Sequence, residues 1–284
     1  MNTTSMTTTS MMIEDMATEN TLPNLHPASP AATSELTIVI PAKNEAKLIP
    51  RLLTALTMQD YSKMSSTRVL VADANSTDGT PEIVTSFRDR LNVSVIRGGM
   101  PSVGRNLGAA RAESDYVLFL DADIEPAHVS VVRRAVELAQ RKQLHCVTTN
   151  ILCRGGSWID TAVYGVNNFF QYASQVHHPF ATGMFMLFDR KKFWELGGFN
   201  ERVLYAEDYQ LTLQVERSRF GIVRGGVYTT NRRFKKMGHL RVGWLFLKTF
   251  MNYWNQDYFL RDHKYWQVSF LDCKLESNDF SAWP

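Results

Sequence analysis

An α/β fold, with a mostly parallel central sheet flanked by helices, is what this sequence predicts, and three observations carry it. Tyr116-Val-Leu-Phe-Leu120 is a short, unbroken apolar run, the pattern of a strand buried on both faces. From Leu36 onward such runs alternate with stretches of helical period, the rhythm of parallel strands joined by right-handed crossovers. Acidic residues then stand at the ends of core elements: Asp73, Asp78, Asp121 with Asp123, and Glu207 with Asp208. Three of these points follow apolar strands, where open α/β sheets hold their ligands.

Residues 1–35 are rich in Thr, Ser, Met and Pro, without hydrophobic periodicity, and a disordered tail is expected there. No Lys or Arg precedes Lys43, so neither a signal peptide nor a transit peptide is read. The first strand runs from Leu36 to Ile40 and ends at Pro41. After the loop Lys43-Asn44-Glu45, Leu48, Ile49, Leu52, Leu53 and Leu56 recur at helical spacing. Arg68 to Ala72 is a second strand, running into Asp73-Ala-Asn-Ser-Thr-Asp78-Gly79-Thr80-Pro81. There Thr80 or Asp78 can cap a helix that Pro81 opens. Val93 to Ile96 is a third strand. Ser102 can cap a helix from Val103 to Ala112, and the acid-terminated strand at Tyr116 follows. Val129 to Ala139 reads as helix, His145 to Thr149 as strand, Trp158 to Gln175 as helix and Thr182 to Asp189 as strand. Tyr209, Leu211, Leu213 and Val215 alternate as in a strand, whereas Glu207 and Asp208 suit a helix start; periodicity leaves both open.

The 284 residues can bury a substantial core in one large domain or two small ones. A hydrophobic fraction of 44% and a charged fraction of 21% are ordinary for a globular protein. A net charge of +3 is too small to indicate nucleic acid. Cys146, Cys153 and Cys273, an odd number without paired short spacing, fit neither a disulfide framework nor a zinc site. They read as a reducing, cytoplasmic compartment. No stretch is apolar for long enough to span a bilayer.

Asp121 and Asp123 carry the sharpest chemical signal. In an extended chain, positions i and i+2 point the same way, and two like charges there are unfavourable without a cation. Mg²⁺ or Mn²⁺, shared with a phosphate, is the natural partner. The plainer alternative is a turn and helix cap ahead of Pro126. The other chemical signal lies near the end of the chain. Arg224, Arg232, Arg233, Lys235, Lys236, His239 and Arg241 crowd one stretch, which continues into the aromatic segment Val242 to Trp254. Such a segment suits an amphipathic helix at an anionic membrane surface, or core packed on the sheet, the commoner fate of aromatic stripes. His177 and His178 have no ligand spacing.

Taken in order, Ile38-Val-Ile-Pro-Ala-Lys-Asn-Glu45, Val71-Ala-Asp-Ala-Asn-Ser-Thr-Asp-Gly-Thr80, Arg105-Asn-Leu-Gly-Ala109, Phe119-Leu-Asp-Ala-Asp123, Gly197-Gly-Phe-Asn200 and Glu207-Asp208 make the chain resemble the family 2 glycosyltransferases of GT-A fold. It departs at Ala74, where the family often has a second aspartate. The resemblance implies a nucleotide-binding half and an acceptor half within residues 36–233, followed by a helical extension over 234–284. It implies a UDP- or GDP-sugar donor held by Pro41, Asn44, Glu45 and Asp73, with Arg105 near the base or diphosphate, Arg232 and Arg233 facing the diphosphate, and Asp121 able to touch the ribose. Asp123, assisted by Asp121, would bind Mn²⁺ or Mg²⁺. Asp208 would be the general base, with Glu207 beside it, for an inverting transfer to an acceptor that is lipid-linked or a small molecule. The basic, aromatic extension would then place the enzyme peripherally at the cytoplasmic face of a membrane. Two other readings compete. A sugar-nucleotide nucleotidyltransferase would need a glycine-rich loop that Pro41-Ala-Lys-Asn-Glu45 lacks. A non-catalytic nucleotide-sugar-binding protein would have no need of both the acidic pair and Asp208.

Overall fold

The structure is a computed structural model that describes residues 35–203, 205–252 and 255–261. The expected tail, Glu35 excepted, lies outside these residues, as do Trp254 and Cys273. Three β/α units open the fold: β1 (Leu36–Ala42), α1 (Ile49–Thr57), β2 (Arg68–Asp73), α2 (Thr80–Thr85), β3 (Val93–Arg97) and α3 (Pro101–Ala110). The short strands β4 (Tyr116–Leu120) and β5 (Glu125–Pro126) follow, then α4 (Val131–Lys142), β6 (Cys146–Cys153), α5 (Trp158–Ser174), β7 (Phe185–Asp189), α6 (Arg190–Glu195) and α7 (Glu207–Thr212). The chain continues through β8 (Phe220–Thr229), α8 (Arg232–Met237), α9 (His239–Met251) and α10 (Gln256–Phe259).

The strands form one sheet in the order β3-β2-β1-β4-β7-β6-β8-β5. Its first half is parallel throughout, β1 pairing β2 and β4, and β2 pairing β3. The apolar residues Val117 to Leu120 of β4 are fully buried, as a doubly covered central strand requires. On one face α1 and α4 pack Leu52, Leu53, Leu56, Val132 and Val136 against it. On the other, Phe119, Phe188, Phe193 and Phe199 form an aromatic cluster. Phe119 sits 5.1 Å from both Phe193 and Phe199. α3 lies against β1 so closely that a Cβ at Gly108 would stand 2.3 Å from Val39 Cγ1.

The structure corrects several expectations. The parallel rhythm ends at β4: β7 runs antiparallel between β4 and β6, and β5 antiparallel to β8. β7 begins at Phe185, not Thr182. β8, ten residues long and parallel to β6, was not expected, and Arg224 lies within it. Residues 207–212 are helical, because the buried set Glu207, Leu211 and Thr212 follows a helical face. α3 starts at Pro101 without a side-chain cap from Ser102. α2 follows Gly79, with Asp78 Oδ1 accepting from Thr80 N (3.1 Å) and Thr80 Oγ1 (2.6 Å). α5 opens on a capping box made by Ser157 and Asp160. Asp160 also bonds His239 Nε2 (2.6 Å), and the Phe234 ring stacks on His239 and meets Tyr164 edge-on. These contacts fix α8 and α9 to α5. Among the described residues, no helix is long and apolar enough to cross a membrane.

Candidate active site

The loops after β1 and β2 are knitted together by their own polar groups. Asn44 N donates to Ser76 Oγ (2.8 Å), and Asn44 Oδ1 accepts from Thr77 N (2.9 Å). Glu45 N donates to Thr80 Oγ1 (2.9 Å), and Ala46 N to Asp78 Oδ2 (3.0 Å). Asn44 and Asn75 both take left-handed backbone angles (φ 53 and 57), which asparagine tolerates better than most residues. Pro41 pairs with Ala72 in the sheet just ahead of these loops. Asp73 Oδ2 accepts from Ser76 N (3.0 Å), while its buried Oδ1 has no hydrogen-bond partner among the described residues. An unsatisfied buried acceptor is uncommon and indicates a place for a missing donor group.

Arg105, on α3, is almost fully buried and forms ion pairs with Asp121 (2.6 Å) and Glu207 (2.7 Å). The guanidinium lies 5.2 Å from the centre of the Phe199 ring. Its neighbour Asn106 donates to Phe199 O (2.8 Å) and accepts from Phe199 N (3.0 Å). One turn of α3 therefore holds the Gly197-Gly-Phe-Asn200 turn, the end of β4 and the start of α7. Glu45 and Arg105, both singled out above, take separate partners, Glu45 pairing with Arg232. Both terminal nitrogens of Arg105 are thus engaged with carboxylates, while its buried Nε has no hydrogen-bond partner among the described residues.

The chain turns at Asp121-Ala122-Asp123, Ile124 N donating to Asp121 O (3.4 Å). The two carboxylates are thus not set side by side by an extended strand, as the spacing alone suggested. Asp121 reaches Arg105, and Asp123 Oδ2 reaches Arg232 Nη2 (3.2 Å). Arg232, at the first position of α8, also pairs with Glu45 (2.9 Å). Burial, then Asp123, push Glu45 up to about 7, against the pull of Arg232. Asp123 is raised by burial and by Asp121, with Arg232 opposing. For both carboxylates burial is the largest cause, and a further positive charge would favour their ionised forms. No cluster of three His, Cys, Asp or Glu able to hold a metal on protein groups alone occurs among the described residues. Asp123 offers instead a single carboxylate of the kind that suits a hard divalent cation taking most of its shell from phosphate and water.

Asp208 stands in the first turn of α7. Ala206, just ahead of it, takes a left-handed angle (φ 58), a strained choice for alanine and one typical of functional sites. Asp208 Oδ1 accepts from Tyr209 N (2.8 Å), and Oδ2 accepts from Gly183 N. Gly183 has no room for a side chain, since a Cβ there would lie 2.6 Å from Arg105 Nη2. Burial, then Glu207, push Asp208 up to about 6, offset by Arg105. Beside Asp208 opens a cavity of about 570 Å³, with Arg105, Asp121, Glu207 and Arg233 among its lining. Of the residues singled out from sequence, Glu45, Asp123 and Arg232 come together in one group and Arg105, Asp121 and Glu207 in another. Asp208 joins the second through the cavity. Asn106, in the Arg105-Asn-Leu-Gly-Ala109 motif, clamps Phe199 with its amide across 93 positions, a role with no local signal in the sequence.

Residues 37–197, more than half of the 284-residue chain, match the family described as Glycosyl transferase family 2. Over 93 residues the chain is 37% identical to the poly(ribitol-phosphate) beta-N-acetylglucosaminyltransferase TarS of Staphylococcus aureus, covering 31% of this chain and 16% of that protein. Over 116 residues it is 32% identical to the 4,4'-diaponeurosporenoate glycosyltransferase of Staphylococcus haemolyticus, covering 39% and 30%. The chain therefore spans less than a third of the length of either relative. Its fold is similar to S. aureus TarS 1-349 in complex with UDP-GlcNAc (TM-score 0.55, 22% identity, 69% of this chain and 58% of that one). It is also similar to a mannosyltransferase from Pyrobaculum calidifontis in complex with GDP-Man and Mn²⁺ (TM-score 0.57, 21% identity, 78% and 66%). With more than half of its length matched and its sheet in the arrangement of these enzymes, the chain belongs to glycosyl transferase family 2.

Proposed function

We propose that the protein is an inverting glycosyltransferase that moves a sugar from a nucleoside-diphosphate sugar to an acceptor hydroxyl, with Asp208 as general base. The observation that carries this reading is Asp208 itself: a carboxylate pushed up to about 6, on the wall of a cavity and beside the Asp121–Arg105–Glu207 network. A base works best when its pKa lies near the working pH. The donor lies along the first two loops, where Asp73 Oδ1 accepts from its base or ribose and Pro41, Asn44 and Glu45 frame it. Arg232 and Arg233 face the diphosphate. Asp123, with Asp121, would hold Mn²⁺ or Mg²⁺. When bound, such an ion offsets charge on the departing diphosphate. The acceptor hydroxyl gives its proton to Asp208 as its oxygen bonds to the anomeric carbon. The bond from that carbon to the phosphate oxygen breaks, and its electron pair leaves with the nucleoside diphosphate. One displacement inverts the carbon. The UDP-GlcNAc and GDP-Man complexes of the similar structures support a UDP- or GDP-sugar, and the Mn²⁺ of the second supports the cation. The acceptors named for the curated relatives differ too widely to carry over.

The test is donor binding by calorimetry, with UDP-GlcNAc and GDP-mannose, with and without Mn²⁺. Asp123→Ala is expected to abolish the metal-dependent part while melting within a few degrees of wild type. Unchanged affinity in the presence of Mn²⁺ refutes the metal assignment.

A further inference from the structure

The cavity beside Asp208 has two characters. One wall is charged, with Arg105, Asp121, Glu207 and Asp208. The remaining lining is dominated by apolar groups, among them the buried Ile151, Tyr164, Met184 and Val242. At about 570 Å³ the cavity lies within the range of small-molecule sites, about 300–1,000 Å³. A sugar or sugar chain laid along these walls would leave most of its hydroxyls without partners, and buried polar groups without partners are costly. An apolar body carrying one hydroxyl meets no such penalty.

The mouth continues the pattern. Ile159, Val166 and Phe170 of α5 and Phe246 and Leu247 of α9 line the cavity and are also exposed. Around them Trp158, Phe169, Leu240 and Trp244 are more exposed still. Two neighbouring helices thus present a broad apolar surface, larger than scattered surface residues require. Arg241 and Lys248 lie on the same α9, and the Lys248 ammonium sits 5.4 Å from the Trp244 ring. Aromatic and basic groups together suit the boundary of an anionic lipid layer.

We propose that the acceptor is an apolar molecule with a terminal hydroxyl, such as a prenyl or fatty alcohol, taken head first between α5 and α9 from a lipid surface on which these helices rest. This rests on the transferase reading above: the hydroxyl reaches Asp208, gives up its proton there, and its oxygen replaces the nucleoside diphosphate on the anomeric carbon.

The experiment uses the full chain and radiolabelled farnesol as probe. Wild type is expected to bind farnesol saturably, displaced by hexadecanol and not by glucose, and with donor and Mn²⁺ to form a butanol-extractable labelled product. Ala162→Trp and Val166→Lys, both at exposed positions lining the cavity, are expected to weaken farnesol binding by at least ~10-fold, a 1.4 kcal/mol effect, and to leave donor affinity and melting temperature in place. Two variants guard against one that fails to fold. Wild type that binds donor and glycosylates glucose, with no farnesol bound and no change in either variant, overturns the apolar acceptor alone. Wild type that binds no nucleotide sugar overturns the transferase reading itself. Farnesol is offered in anionic vesicles and, separately, on cyclodextrin. Faster transfer from vesicles supports the lipid surface, and equal rates overturn that source while leaving the acceptor class.

Discussion

In the proposed mechanism the proton transfer falls to Asp208, and its replacement should separate binding from turnover. Asp208→Asn keeps the volume and can still accept from Gly183 or Tyr209, but it cannot take a proton. Turnover is expected to fall by at least ~100-fold, the lower end of general-base contributions, with donor affinity unchanged; steady-state kinetics and calorimetry check both. In wild type, kcat/KM should fall as pH drops below about 6, where Asp208 protonates. The stability consequence has the opposite sign from that of a salt-bridged carboxylate. Here the folded pKa lies above the ordinary aspartate value of about 3.9, so ionisation weakens the native state. Nothing is lost below about pH 4, and the full penalty is present above about pH 6. The melting temperature of Asp208→Asn, relative to wild type, should therefore be higher at pH 7.5 than at pH 4. Arg105 is the other decisive residue. Arg105→Met leaves Asp121 and Glu207 without their buried cation and is expected to destabilise by about 3–5 kcal/mol in chemical denaturation. These carboxylates were legible in the sequence as acidic punctuation. Their partners were not, because Arg105 meets Glu207 across 102 positions and Arg232 meets Glu45 across 187, and no local pattern encodes such pairings.

At the scale of elements, the apposition of α3 to β1 can be tested directly. Alanine gains up to ~1 kcal/mol over glycine in a helix interior. At Gly108 the added methyl would meet Val39 at 2.3 Å, and overpacking typically costs about 1–3 kcal/mol. Gly108→Ala should therefore lower the melting temperature despite the better propensity, and a rise would show that α3 can shift without loss. Elements whose apolar residues follow one clean period were readable in advance: β1, α1, β2, β4 and α4. β8 was not. Arg224, Gly225 and Gly226 interrupt its alternation, with both glycines at positive φ beside a register shift against β6, as in a bulge. α7 was ambiguous because six residues hold too few turns for a helical period to stand out from alternation. α9 misled the core reading most: Val242 is buried, yet Leu240, Trp244, Leu247 and Met251 are exposed, so its stripe does not pack wholly on the sheet.

For the molecule as a whole, the exposed faces of α5 and α9 lead to an expectation about lipid. In co-sedimentation, anionic vesicles should take the protein from solution at low salt. Each Lys or Arg near such a surface contributes about 1 kcal/mol, a part that added salt removes. Apolar insertion persists in salt, so Trp244→Ala combined with Leu247→Ser should abolish the residual high-salt binding. Full retention in the supernatant at low salt would leave the apolar face unexplained by lipid. The alternation of strands and helices made the parallel half of the sheet legible at this scale. The mixed half was not, because strand direction there depends on which neighbour β7 finds.

The position of Arg232 has a further consequence, for the order of events in folding. Its contacts to Glu45 and Asp123 close loops of 187 and 109 residues, and closures of that length are entropically slow. On a growing polypeptide, both carboxylates leave the ribosome long before the arginine that relieves their repulsion. The sheet can gather around β1 and β4 first, but the Glu45–Arg232–Asp123 cluster is complete only once α8 has docked. In refolding experiments, nucleotide-sugar binding should accordingly recover after the burst of secondary structure, as its own slower phase.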